Sequence, residues 1–149
     1  MFTENELEKI ITLGVIQKEF QISGMTFLMR SLTAQEMWEV LREVSGYDDA
    51  AKMKGIEIKT LARSIIAINN KKLEYIPEEK DDIITYDKLI KQNERILGKT
   101  QGGIIDLLYT KYGELMEEQE HFLQQCTTEL KKNGQDKNGK SVELSELKK

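Results

Sequence analysis

The chain has 149 residues, 39% of them apolar and 32% charged, with a formal net charge of −4 at pH 7. That supplies one modest core with much helix surface left in water. The acidic balance speaks against nucleic acid as the main ligand, because phosphate binding relies on Lys and Arg, and a single cysteine, Cys126, excludes an internal disulfide.

The charge is uneven. Residues 131–149 carry six Lys against three acidic residues, so the rest of the chain is more acidic than the total suggests. The basic end reads as a solvated tail. The start, "MFTENELEK", is acidic where a signal peptide is basic, and no apolar region follows it. The longest apolar run, Ile65–Ile68, falls far short of the ~20 residues a membrane span needs. A soluble protein of a reducing cytoplasm, with no membrane partner, is expected. One proline and a sequence rich in Glu, Lys, Leu and Ile favour helix. The fold class that follows is mainly α with a small β-hairpin near the N-terminus (α+β): a helix bundle with a long C-terminal helix.

In chain order, residues 3–14 place Leu7, Ile10, Ile11 and Gly14 on one side of a helix, although "IITLGVI" also fits the start of a strand. From Val15 the pattern alternates. Ile16, Lys18, Phe20 and Ile22 share one face, Ser23-Gly24 supplies a turn, and Met25, Phe27 and Met29 share one face of the return strand. A β-hairpin over about 15–31 is expected. "LTAQE" then starts a helix: Thr33 caps it, and Glu36 reaches back to the cap's own N–H in a capping box, with Leu32 placed to staple onto Met37. This two-residue joint should make hairpin and helix move as one unit. The helix, about 34–45, shows Met37, Val40, Leu41 and Val44 at core spacing, and Gly46 is a plausible stop.

Asp48 or Asp49 begins the next helix, about 48–69, whose stripe is Ile58, Leu61, Ala62, Ile65 and Ile68. Asn69-Asn70 is a turn signal, and "INNKKLEY" resembles a second, weak hairpin. A helix over 78–97 follows the only proline, with Ile83, Ile84, Leu89, Ile90 and Leu97 among its apolar positions. "GKTQGG" breaks it. Residues 103–132 form the longest periodic run, roughly 45 Å of helix, with an end that should project or pack on a partner. One globular domain over 1–132 is expected, then a polar, flexible tail over 133–149.

Catalytic and metal motifs do not assemble. "GKT" at 98–100 lacks the glycine a phosphate loop needs five residues earlier; Asn93 stands there. Glu118 and His121 have the spacing of a di-iron ligand pair, but the chain has one His and such a site needs two. Cys126 lies five residues from His121, out of register for a nucleophile pair, and falls on the apolar stripe as a small core residue. No enzyme, cofactor or metal site is expected. The methionines fit either core filler or an adaptable binding surface. Trp38 fits either a core edge or a partner anchor.

The string "FLMRSLTAQEMWEVL", Phe27 to Leu41, resembles the N-terminal signature of phage tail assembly chaperones and related small tail proteins. Further features appear in that family's order. They are the acidic joint Tyr47-Asp48-Asp49, the helix carrying Leu61, Ala62 and Ile65 with its turn at Ile68-Asn69, and the late helix carrying Ile105, Asp106, Leu108 and Tyr112. The resemblance implies a non-enzymatic, virus-encoded protein of the host bacterial cytoplasm. Its partner would be the tape-measure protein or other tail proteins, and its task to keep long apolar helices from aggregating during tail assembly. The related alternative it implies is a minor virion protein of the tail or baseplate hub. Self-association is compatible with either. In this reading Met25, Phe27, Met29, Met37 and Trp38 contribute the apolar partner-binding groove.

Overall fold

The structure, a computed structural model, describes residues 1–74 and 86–136. Its elements are α1 (Glu4–Thr12), β1 (Gln17–Ile22), β2 (Met25–Arg30), α2 (Ala34–Val44), α3 (Asp49–Ser64), β3 (Ile65–Ile68), β4 (Lys71–Lys72), α4 (Tyr86–Gly98) and α5 (Gly102–Asp136). The fold is mainly α with a small antiparallel sheet, as the composition and patterning predict. The sequence groups residues 1–132 into one body; the described residues fall into two compact units, one within Val15–Met116 and one of Met1–Gly14 with the described residues from Glu117 to Asp136. Residues 78–85 of the expected fourth helix and the expected tail from 137 lie outside the described residues.

In the 15–116 unit the four strands lie in the order β1-β2-β3-β4, each antiparallel to its neighbour. The first hairpin pairs Ile22 with Met25 and Phe20 with Phe27 across Ser23-Gly24. Both turn residues have positive φ, 51° and 80°, the mirror-image turn whose twist matches the strands. Asn69 and Asn70 repeat this device at φ 51° and 64°, tolerable because Asn enters the left-handed region more readily than most residues. The Asn69 side chain also accepts a hydrogen bond from the Thr26 amide at 2.9 Å, which ties the second turn to β2. The outer strands expose Lys18, Lys71 and Lys72, charges that discourage edge-to-edge pairing.

Two sequence expectations are corrected here. The helix expected over 48–69 ends at Ser64, and Ile65–Ile68 turns into strand β3 with no intervening loop. The run of β-branched residues is better placed on a pleated surface. There Ile68 pairs with Phe27 and Ala67 with Leu28, and a register shift follows before Met29 meets Ile65. On α2, the expected core stripe of Met37, Val40, Leu41 and Val44 is rotated. Glu36, Val40 and Val44 are buried, whereas Met37 and Leu41 are exposed.

The core of this unit combines Phe20, Phe27 and Met29 from the hairpin with Leu61 and Ile65, then Ile90, Leu97, Leu108 and Leu115 from the last two helices. Met29, Leu61 and Leu115 have no exposed surface; truncating such a leucine typically removes about 3–5 kcal/mol. Gly55 lets α3 approach its predecessor: a Cβ there would lie 2.9 Å from Val44 Cγ1 and 3.0 Å from Tyr47 Cε2.

In the other unit, α1 carries a capping box of its own, Thr3 with Glu6. Gly14 has φ 82°, and its carbonyl accepts a hydrogen bond from the Gln119 side chain at 3.0 Å.

Candidate functional site

The helix start at Thr33 is the best place to build from. Thr33 Oγ1 accepts from the Glu36 amide at 3.2 Å, and the Glu36 carboxylate accepts from the Thr33 amide at 3.0 Å. This is the reciprocal box read from "TAQE". The structure adds what sequence could not show. Arg30, the last residue of β2, donates to both Glu36 oxygens, at 2.8 and 2.7 Å. Tyr86, fifty positions away at the start of α4, donates to the same carboxylate at 2.5 Å.

The electrostatics follow from these contacts. Burial pushes the Glu36 carboxyl toward protonation, but the bonds from Arg30, Tyr86 and the Thr33 amide outweigh it and bring its pKa down to about 2. Burial and the neighbouring carboxylate push Tyr86 up to about 12, and the bond to Glu36 raises Arg30. The site is an ionised, bidentate clamp. It fastens the hairpin, α2 and α4, and it fixes the rotation of α2 by drawing Glu36 inward.

That rotation decides what α2 presents. Trp38 is 60% exposed, Leu41 56% and Met37 45%. The Arg42 guanidinium lies 4.8 Å from the centre of the Trp38 ring and holds one indole face. A large aromatic beside two flexible or branched apolar side chains, rimmed by Gln35, Glu39 and Arg42, has the make-up of a protein-binding anchor.

The five residues assigned to a groove from sequence do not form one surface. Met29 is wholly buried and Phe27 is 7% exposed, so both belong to the core. The reason is topological: β2 lies between β1 and β3, and its Met29-Phe27 face carries the helices. Met25, at the strand's end, is 42% exposed. With Phe27, Ile68, Ile96 and Leu97 it lines an apolar cleft of about 280 Å³, whose polar members are Asn93 and Thr100. Met37 and Trp38 lie on the outward face of α2. Leu41 was read as core and is part of the exposed face instead.

A second ionic network holds the helices together. Lys59 bridges Glu43 at 3.0 Å and Glu94 at 3.3 Å, and Arg63, 4% exposed, reaches the same two carboxylates at 3.4 and 3.5 Å. This network joins α2, α3 and α4. "GKT" ends a helix: the Lys99 amide donates to the Arg95 carbonyl, the Thr100 amide to Leu97, and the Thr100 hydroxyl to Ile96. Those amides are occupied by the chain itself and do not cradle a phosphate. Cys126, read as a small core residue, is half-buried, and His121 is exposed. Among the described residues no group of three His, Cys, Asp or Glu is placed to hold a metal, and no helix is long and apolar enough to cross a membrane.

Compared with protein-family models, curated proteins and solved structures, the chain matches none.

Proposed function

We propose that this protein acts by binding another polypeptide and makes or breaks no bond itself: a tail assembly chaperone that holds apolar helices of a tape-measure protein until the tail tube assembles. The observation that carries the reading is the outward face of α2. Met37, Trp38 and Leu41 are exposed on a helix whose orientation is fixed from behind by the Arg30–Glu36–Tyr86 clamp. A fixed backbone with adaptable side chains suits an amphipathic partner helix, because little order is lost on binding. The string from Phe27 to Leu41, which resembles the tail-chaperone signature, contains both the clamp's Arg30 and Glu36 and the exposed face.

The test is capture of the tape-measure protein encoded by the same phage. Trp38→Ala should reduce its retention by at least about tenfold, the range of an interfacial anchor, with an unchanged melting transition. Equal retention by the variant removes α2 from the binding surface. Mass spectrometry of purified particles separates a chaperone, scarce or missing there, from a minor virion protein, present at fixed stoichiometry.

A further inference from the structure

We propose that the unit formed by α1 and the C-terminal half of α5 is a self-association module. In it, these helices pack on the same two helices of a second copy of this chain, α5 running antiparallel to its counterpart. The unit has no buried core of its own: none of its residues with a described side chain is buried. Leu7 and Ile10 of α1 and Leu13, its C-cap, are 45%, 57% and 72% exposed, and Leu123 and Leu130 of α5 are 54% and 71% exposed. Leu123 and Leu130 are one heptad apart and so share a side of the helix.

A nine-residue helix without a covered face is marginal in water. Yet α1 is framed at both ends, by the Thr3–Glu6 box and by the Gln119 bond to Gly14. Its apolar stripe is therefore held in place, and among the described residues of this unit none buries it. The exposed aliphatic surface of these five residues is on the order of 500 Å² per copy. With a polar rim this approaches the ~800 Å² per partner of a standard interface.

Charge selects the occupant and the direction. The stretch from Glu117 to Lys132 begins with Glu117, Glu118 and Glu120 and ends with Glu129, Lys131 and Lys132, so its first end is strongly acidic and its last end carries a net positive charge. Parallel packing of two copies sets like charges together. Antiparallel packing sets the acidic end of each copy against the basic end of the other. A segment complementary to its own reverse fits a two-fold, self-complementary contact.

Sedimentation equilibrium of the full chain over a range of concentrations tests this, and the expected result is a reversible dimer. Leu123→Glu with Leu130→Glu should raise its dissociation constant at least about hundredfold. Surface charge changes keep the test independent of folding defects. Lys131→Glu with Lys132→Glu should weaken self-association, and mixing that variant with a Glu117→Lys, Glu120→Lys chain should restore it as a heterodimer. A monomer at every concentration overturns the proposal, as does a dimer indifferent to the leucine changes. A charge-reversed pair that fails to recover overturns the antiparallel arrangement.

Discussion

Replacing Glu36 by Gln keeps the shape and an acceptor for the capping box but removes the charge that Arg30 and Tyr86 hold. The Glu36 side chain is 10% exposed and that of Arg30 18%, so solvent screens the pair little. The carboxyl titrates at about 2 instead of 4.5, a difference equivalent to about 3 kcal/mol. This agrees with the 3–5 kcal/mol typical of breaking a buried pair by removing one partner. The sign follows from the lowered pKa. The folded carboxyl gives up its proton more readily than the unfolded one, so the contribution is complete above 4.5 and is lost as pH falls toward 2. Urea unfolding at a series of pH values, followed by the fluorescence of Trp38, the single tryptophan, measures it two residues from the mutated position. Wild type should exceed the variant by about 3 kcal/mol near neutrality, and the two curves should converge in acid. A gap under about 1 kcal/mol near neutrality, the scale of a surface pair, refutes the reasoning. So does a gap that persists unchanged below the folded pKa.

Three further outcomes test the packing. Met29→Asp should abolish the cooperative transition, since an unpaired charge would enter a position with no exposed surface; Met37→Asp should shift unfolding by no more than about 0.5 kcal/mol, and circular-dichroism melts compare the two. Gly55→Ala adds a good helix former but drives a methyl against Val44 and Tyr47, so urea titration should show a net loss of about 1 kcal/mol; a gain would mean the contact is loose. Asn69→Ala removes the acceptor for the Thr26 amide at a position with φ 51°, which should cost about 1–2 kcal/mol and speed hydrogen exchange at Thr26.

Local signals were the legible ones. "TAQE" carries the capping box in four letters, and the hairpin follows from alternation around Ser23-Gly24. The shared face of Phe27 and Met29 follows from the same period of two, but that this face is buried beneath the helices does not. What failed depended on residues distant in sequence. The rotation of α2 is set by Arg30 and by Tyr86, fifty positions on, so a helical wheel drawn from apolar residues alone put Met37 and Leu41 inside. Ile65 and Ile68 continue the spacing of a helical stripe, and pairing with Phe27 and Met29 decides for strand. The signals that could have shown this were present: the β-branched residues in Ile65–Ile68 and the Asn-Asn turn after them. Of the five residues assigned to one groove, Met37 and Trp38 stand on the exposed face of α2, Met25 lines a separate cleft, and Phe27 and Met29 are buried; Leu41, assigned to the core, is exposed.

Under the proposed function, α2 offers its apolar face to a partner helix. Co-expression with a tape-measure protein, the partner that the proposed function implies, tests this most directly, by the fraction of that long product that stays soluble. The wild-type chain should raise that fraction, and a chain with Trp38→Asp and Leu41→Asp, folded to the same melting temperature, should not. Equal solubilisation by both chains, or none by the wild type, contradicts the claim.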